Sequence, residues 1–250
     1  MSPSELFKKI KRKFFGQVEL VKVFSHPRSG TNLLEAFIAS NFYKGLNLER
    51  GEVEWGHWSN RKILADTLPY GKLFGSHVFP DFFANHSRRR VAYIFRDGRA
   101  VAHSVWKTDN FMNPALRGIS FSEFLNTPLD WIGTPAVRFN GHDRKNIVQH
   151  WLAHVSGWHE IARRSRNIVL IRYEDLIHDP YSVYRLIHQK FFPKQGLLPP
   201  SQVDPVSKLV GLFPNSGVVD SWRDVFTGAD LDLFFSHVPR SCEYLWHEGR

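Results

Sequence analysis

Residues 25–31 read Ser25-His26-Pro27-Arg28-Ser29-Gly30-Thr31, and what flanks them restricts the folds open to this chain. Ahead of the segment, Val18, Leu20, Val21, Val23 and Phe24 form an apolar, β-prone run. Behind it, Leu33, Leu34, Phe37, Ile38 and Phe42 recur at helical spacing. The segment therefore joins a strand to a helix. Gly30 lets the backbone turn tightly and come close to a ligand, the N–H groups that open the helix face an anion, and Arg28, Ser29 and Thr31 add donors. Phosphate or sulfate fits this set, although Pro-x-Ser-Gly-Thr is also an ordinary turn ahead of a helix cap.

Other strand candidates end in the same way. Gly71–Phe79 carries His77 near its end and stops at Pro80. Val91–Phe95 runs straight into Arg96 and Asp97, and Ile168–Ile171 into Arg172, Tyr173, Glu174 and Asp175. In an open parallel α/β sheet, ligands bind beyond the carboxyl ends of the strands, so these polar groups are expected to converge on one crevice. Helices are expected over Asp97–Lys107, with Val101, Ala102, Val105 and Trp106 on one face and Ser104 returning to the side of the helix start. A second is expected over Asn146–Arg164, with Val148, Leu152, Val155, Trp158 and Ile161. Between Thr108 and Asp143 the chain is rich in Pro, Gly, Asn and Thr, with a short helical piece at Phe121–Leu125; this reads as a functional loop or lid. Pro199 and Pro200 break the chain, and a last helix is expected near Ala229–Phe235.

The 250 residues, 42% of them hydrophobic and 14% aromatic, suit a single α/β domain over 17–250 that buries roughly 70 to 75% of its unfolded surface. Residues 1–16 place Lys8, Lys9, Lys11, Arg12 and Lys13 among Leu6, Phe7, Ile10, Phe14 and Phe15. That is the pattern of a short basic amphipathic helix with the capacity for peripheral membrane contact, and no apolar core region follows it as in a signal peptide. No apolar stretch approaches the roughly 20 residues needed to span a bilayer. Cys242 is the sole cysteine, which excludes an intrachain disulfide and a cysteine-based metal site and fits a cytoplasmic location. A formal charge of +9, from 33 Lys and Arg against 24 Asp and Glu, favours anionic ligands without choosing among them.

Taken in order, these residues resemble the sulfotransferase family that uses 3′-phosphoadenosine 5′-phosphosulfate. Pro27-Arg28-Ser29-Gly30-Thr31 resembles its 5′-phosphosulfate loop, and Tyr93-Ile94-Phe95-Arg96-Asp97-Gly98-Arg99 through His103-Ser104 its 3′-phosphate motif. His154-Val155-Ser156-Gly157-Trp158, then Val169–Tyr173 and Glu174-Asp175-Leu176 through Asp179-Pro180, is similar to a continuous family block. Gly217 through Trp222-Arg223 and Phe226-Thr227 is similar to its C-terminal Gly-to-Trp motif. The resemblance implies a three-layer, P-loop-NTPase-like fold, a central mainly parallel sheet flanked by helices. It also implies sulfuryl transfer to an acceptor hydroxyl or amine, leaving adenosine 3′,5′-bisphosphate (PAP), with no metal. Arg28, Ser29, Gly30, Thr31 and Asn32 would hold the 5′ end, Arg96 and Ser104 the 3′-phosphate, Tyr173 would lie by the adenine, and Gly217 would let the C-terminal loop approach.

His77, in Ser76-His77-Val78-Phe79-Pro80, resembles the family's base, with Arg28 stabilising charge on the departing phosphate. The chain departs from the family at Leu33, where many members carry tryptophan, at Gly75 in place of lysine, and at Asn215-Ser216 in place of Arg-Lys; Arg99 is a candidate replacement cation. These departures imply a divergent member of the bacterial type. The acceptor, a small molecule or carbohydrate, is expected beside His77 under the loop over 108–142.

Two other readings meet the same charge and topology. A P-loop kinase or NTPase would share the strand-loop-helix start, yet needs Gly-x-x-x-x-Gly-Lys-Ser/Thr, whereas here Gly30 is followed by Thr31-Asn32 and the cation precedes the glycine. A non-enzymatic polyanion binder would use Arg88-Arg89-Arg90 and Arg163-Arg164-Arg166, with nucleic acid not expected. His150 and His154 have a spacing that can bind zinc, but no glutamate follows His150 and no cysteine assists, so they read as a packed or solvent-facing pair. Trp55, Trp58 and Trp131 could stack on an acceptor or simply pack.

Overall fold

A computed structural model of the chain describes residues 21–43, 75–77, 79–80, 90–108, 116–129, 145–205 and 219–245. The expected basic segment over 1–16, Gly217, Asn215-Ser216 and the three loop tryptophans lie outside the described residues.

Among the described residues four parallel strands, β1 (Lys22–Ser25), β2 (Gly75–Ser76), β3 (Val91–Phe95) and β4 (Ile168–Arg172), pair in the order β2-β1-β3-β4. Val23 pairs with Gly75, Lys22 through Ser25 with Val91 through Ile94, and Val91 through Phe95 with Ile168 through Arg172. Successive residues serve opposite faces, as the pleat requires. Phe24, Val91, Tyr93 and Phe95 join one core, while Val21, Val23, Ala92 and Ile94 join the other. Both faces being covered, the strands read as near-continuous apolar runs, the pattern of a buried parallel sheet.

α1 (Thr31–Phe42) lies on the second face, with Leu34, Phe37 and Ile38 fully buried beside Ile171 and Ile187. The first face is covered by α2 (Gly98–Trp106), α3 (Phe121–Asn126) and α4 (Ile147–Arg164), whose Val101, Phe124, Trp151, Val155 and Trp158 surround Phe24 and Tyr93. Trp158 stacks on Phe24 at 4.8 Å and on Tyr93 at 5.1 Å. Asn146 and Gln149 form a reciprocal capping box that fixes where α4 begins.

Within the described residues the expected helices stand where the spacing put them, and the short piece in the long loop is α3. Within the described residues the second strand is only Gly75–Ser76, and the fourth extends one residue further, through Arg172. Beyond it α5 (Tyr173–His178) and α6 (Pro180–Phe191) were not expected; Asp179 caps α6 by accepting from Ser182 N at 3.0 Å, with Pro180 in the first turn. α7 (Gly228–His237) and a 3₁₀ segment at Arg240–Leu245 close the described chain.

The strand order locates the ligand crevice. From β1 the chain crosses to β2 on one side, and from β3 to β4 on the other, so connections diverge between β1 and β3 and leave a gap beyond their carboxyl ends. Residues 26–31 and 96–104 are the segments that line it.

Candidate active site

The segment after β1 curls through two left-handed residues, Arg28 at φ 67° and Gly30 at φ 94°, before α1 begins. Left-handed backbone at a residue with a Cβ is uncommon, and curled turns of this kind gather N–H groups into an anion-binding concavity. Gly30 is required twice over: its φ favours glycine, and a Cβ there would stand 2.5 Å from Cδ2 of Tyr173. Ser29 is fully buried, and its Oγ has no hydrogen-bond partner among the described residues; neither does Oδ1 of Asn32. Thr31 Oγ1 lies 2.5 Å from Ser25 Oγ, tying the helix start back to the strand.

Arg28 and Arg96 meet across the gap. The Arg28 side chain donates from Nε to Ser104 Oγ at 3.0 Å, and Arg96 donates from Nη1 to the Arg28 carbonyl at 3.5 Å while its guanidinium lies 4.5 Å above the Tyr173 ring. Burial, and then Arg96 beside it, lower the Arg28 guanidinium below its ordinary value. Two like charges stand together in this half-buried corner, beside a buried hydroxyl without a partner among the described residues, an arrangement suited to an anion. Arg28, Ser104, Arg96 and Tyr173, from four separate elements, therefore share one wall. Burial raises the Tyr173 hydroxyl above its usual value, with Arg96 acting against it.

Arg99 behaves differently. It is held by Asp97 through Nε at 3.0 Å and Nη2 at 2.6 Å and lies 3.9 Å over the Trp222 ring. Asp97 also caps α2 by accepting from Arg99 N at 2.8 Å, and its own N–H donates to Glu174 Oε1 at 3.1 Å.

His77 is 4% exposed. Its Nδ1 is 2.9 Å from the Ser25 carbonyl and 3.3 Å from Ser25 Oγ. A carbonyl only accepts, so Nδ1 carries the proton and Nε2 holds the basic lone pair. Ser25, which the sequence did not single out, thus links His77 to the loop through Thr31. Also unforeseen is the role of the two α4 histidines. Both are packed, fully buried, and hydrogen-bonded: His150 Nδ1 is 3.0 Å from His26 Nε2, and His154 lies 2.8 Å from the Tyr93 hydroxyl and 3.2 Å from the His77 carbonyl. Among the described residues no group of three or more His, Cys, Asp or Glu is arranged to hold a metal ion. No helix among them is long and apolar enough to cross a membrane.

A parallel α/β sheet with a cationic loop at its switch point defines a nucleotide- or anion-handling protein. The sulfotransferase domain model matches residues 20–208, and the chain belongs to that family, whose reaction is sulfuryl transfer. It is 25% identical to the 3-alpha-hydroxysteroid sulfotransferase of Cavia porcellus, covering 92% of this chain and 86% of that one. It is also 25% identical to Sulfotransferase 2A1 of Homo sapiens, over 70% and 60% of the two chains. Among solved structures, retinol dehydratase in complex with androsterone and inactive cofactor PAP superposes with a TM-score of 0.60 at 13% identity, covering 92% of this chain and 82% of that one. Mouse sulfotransferase SULT7A1 complexed with PAP does so at 0.58 and 17%, covering 87% and 82%.

Proposed function

We propose that this protein moves the sulfuryl group of 3′-phosphoadenosine 5′-phosphosulfate to the hydroxyl of a small-molecule acceptor by in-line displacement, with His77 as base. The observation that carries the proposal is the meeting of Arg28 and Arg96 at the switch point, with Ser104 on Arg28 and the orphaned Ser29 hydroxyl in the same loop. These residues fit the phosphate groups of the donor. Arg28, Ser29, Gly30, Thr31 and Asn32 would hold its 5′ end, Arg96 and Ser104 the 3′-phosphate, and Tyr173 the adenine side, with Gly217 carried by the family resemblance alone. When bound, the donor supplies the activated sulfuryl group.

The chain's own residues supply the rest. His77 Nε2 takes the proton of the acceptor hydroxyl, a task suited to an imidazole and worth roughly 100- to 10,000-fold. The Ser25 carbonyl keeps the His77 proton on Nδ1 so that Nε2 stays basic. Arg28 offsets negative charge gathering on the leaving phosphate. Hydroxysteroid sulfotransferases among the relatives point to an alcohol on an apolar skeleton as acceptor.

Calorimetric titration with PAP, with magnesium ATP as comparator, tests the donor site: metal-independent binding of PAP is expected, and preference for magnesium ATP would overturn the reading. Transfer of labelled sulfuryl group to a panel of hydroxysteroids and phenols tests the reaction. His77→Ala is expected to abolish it while leaving PAP affinity within about twofold, and undiminished turnover in that variant would remove His77 from its role.

A further inference from the structure

Three neighbouring residues of α4 each reach the backbone of a different strand end. Trp151 Nε1 donates to the Arg96 carbonyl at 3.1 Å, beyond β3. His154 Nε2 lies 3.2 Å from the His77 carbonyl, beyond β2. His150 reaches the loop beyond β1 through an intermediary: its Nδ1 is 3.0 Å from His26 Nε2, and His26 Nδ1 is 2.9 Å from the Pro27 carbonyl. The proton positions follow from the ends of each path. Pro27 O can only accept, so His26 is protonated on Nδ1, its Nε2 accepts, and His150 must donate from Nδ1. In the same way His154 donates from Nε2 to His77 O, and its Nδ1 accepts from the Tyr93 hydroxyl at 2.8 Å. His26, His150 and His154 are all fully buried, where a lost donor is expensive.

We propose that His150 is a positioning residue for the anion loop: through His26 it fixes the Pro27 carbonyl, and with it the left-handed backbone that presents Arg28. This inference rests on the reading of residues 25–31 as the donor loop. His154 makes the natural comparison, because it is equally buried one turn along the same helix but bonds directly to the His77 carbonyl and the Tyr93 hydroxyl, its ring meeting His26 only edge-on at 5.5 Å, a contact that phenylalanine keeps. Burial, reinforced by His150 and His154, keeps the His26 imidazole well below its ordinary value, consistent with a neutral ring that accepts at Nε2.

The test is calorimetry with PAP on the full chain and three variants. His150→Phe keeps a ring and removes the donor, and should weaken PAP about tenfold. His150→Asn returns an N–H near the position of Nδ1 and should restore affinity to within about threefold of wild type. His154→Phe should stay within about threefold. Equal losses in His150→Phe and His154→Phe, failure of His150→Asn to rescue, or no loss at all would overturn the assignment. Wild-type protein that does not bind PAP would instead overturn the donor-loop reading. Nitrogen-15 NMR of the wild-type histidines supplies a check independent of any variant's folding. His26 should be the Nδ1–H tautomer, and an Nε2–H tautomer, unable to hold the Pro27 carbonyl, would sink the proposal.

Discussion

Arg96 and Arg99 leave the same strand end three residues apart and are buried almost equally, at 4% and 6% exposure, yet they are set in opposite surroundings. Arg99 is matched: a carboxylate takes two of its nitrogens and an indole covers its face. Arg96 touches a carbonyl, an aromatic ring and the neighbourhood of a second guanidinium. Burial alone would rank the two together. Their surroundings separate them: Arg99 is locked between a carboxylate and an indole, whereas Arg96 lies beside a second guanidinium on the wall of the proposed donor site.

Exchanging each arginine in turn breaks that comparison if it is wrong. Arg96→Ala should weaken PAP binding by about 300-fold, the loss of two charge-assisted bonds, while denaturant unfolding shows little loss of stability. Arg99→Ala should do the reverse. It leaves the half-buried Asp97 carboxylate without its guanidinium and Trp222 uncovered, lowering stability by about 2 kcal/mol in urea unfolding with PAP affinity within about threefold. Matching effects of the two variants on both readouts would collapse the distinction.

Gly30→Ala probes the other half of the corner. A left-handed backbone and a methyl group against Tyr173 should cost about 2 kcal/mol of stability, and calorimetry should show weakened PAP binding because Tyr173 is displaced from beneath Arg96. Equal stability of the variant would mean that the loop relaxes without the ring.

A pH-dependent effect lies away from the corner, at His159. Burial, with Arg163 and Arg172 nearby, holds its pKa at about 4 in the folded protein against 6.5 for the free side chain. The unfolded chain therefore binds the proton first. The stability contributed by the neutral ring is complete above pH 6.5 and is lost progressively as pH falls toward 4, at no more than about 1.4 kcal/mol per pH unit. Melting temperatures of His159→Phe across pH 7 to 4.5 should fall less steeply than those of wild type, and parallel curves would contradict the shift.

Local pattern made much of this legible. β3 and α4 stand within a residue or so of the expected spans because Val91–Phe95 is an unbroken apolar run and α4 repeats apolar residues over five turns. α5 and α6 escaped because the residues after β4 were read for their charge alone. Asp179 followed by Pro180, with Val183, Tyr184, Ile187 and Phe191 behind, was the available signal of a capped amphipathic helix. At the site, the individual residues were visible in their motifs, but their pairings were not. Arg28 with Ser104 and His26 with His150 are contacts between side chains of segments far apart in the sequence, and periodicity carries no information about which strand end faces which helix turn.

The helix that ties the three strand ends together also sets when the site can exist during folding. His26 meets His150 across 124 positions, His77 meets His154 across 77, and Arg96 meets Trp151 across 55. Contacts of such separation carry the full entropy of loop closure and form late. The loop over 25–31 is synthesised before α4, and on the proposed reading it acquires its shape only after α4 has emerged and docked. A nascent or truncated chain ending before Ile147 would carry every residue of the loop without the geometry that makes it a site.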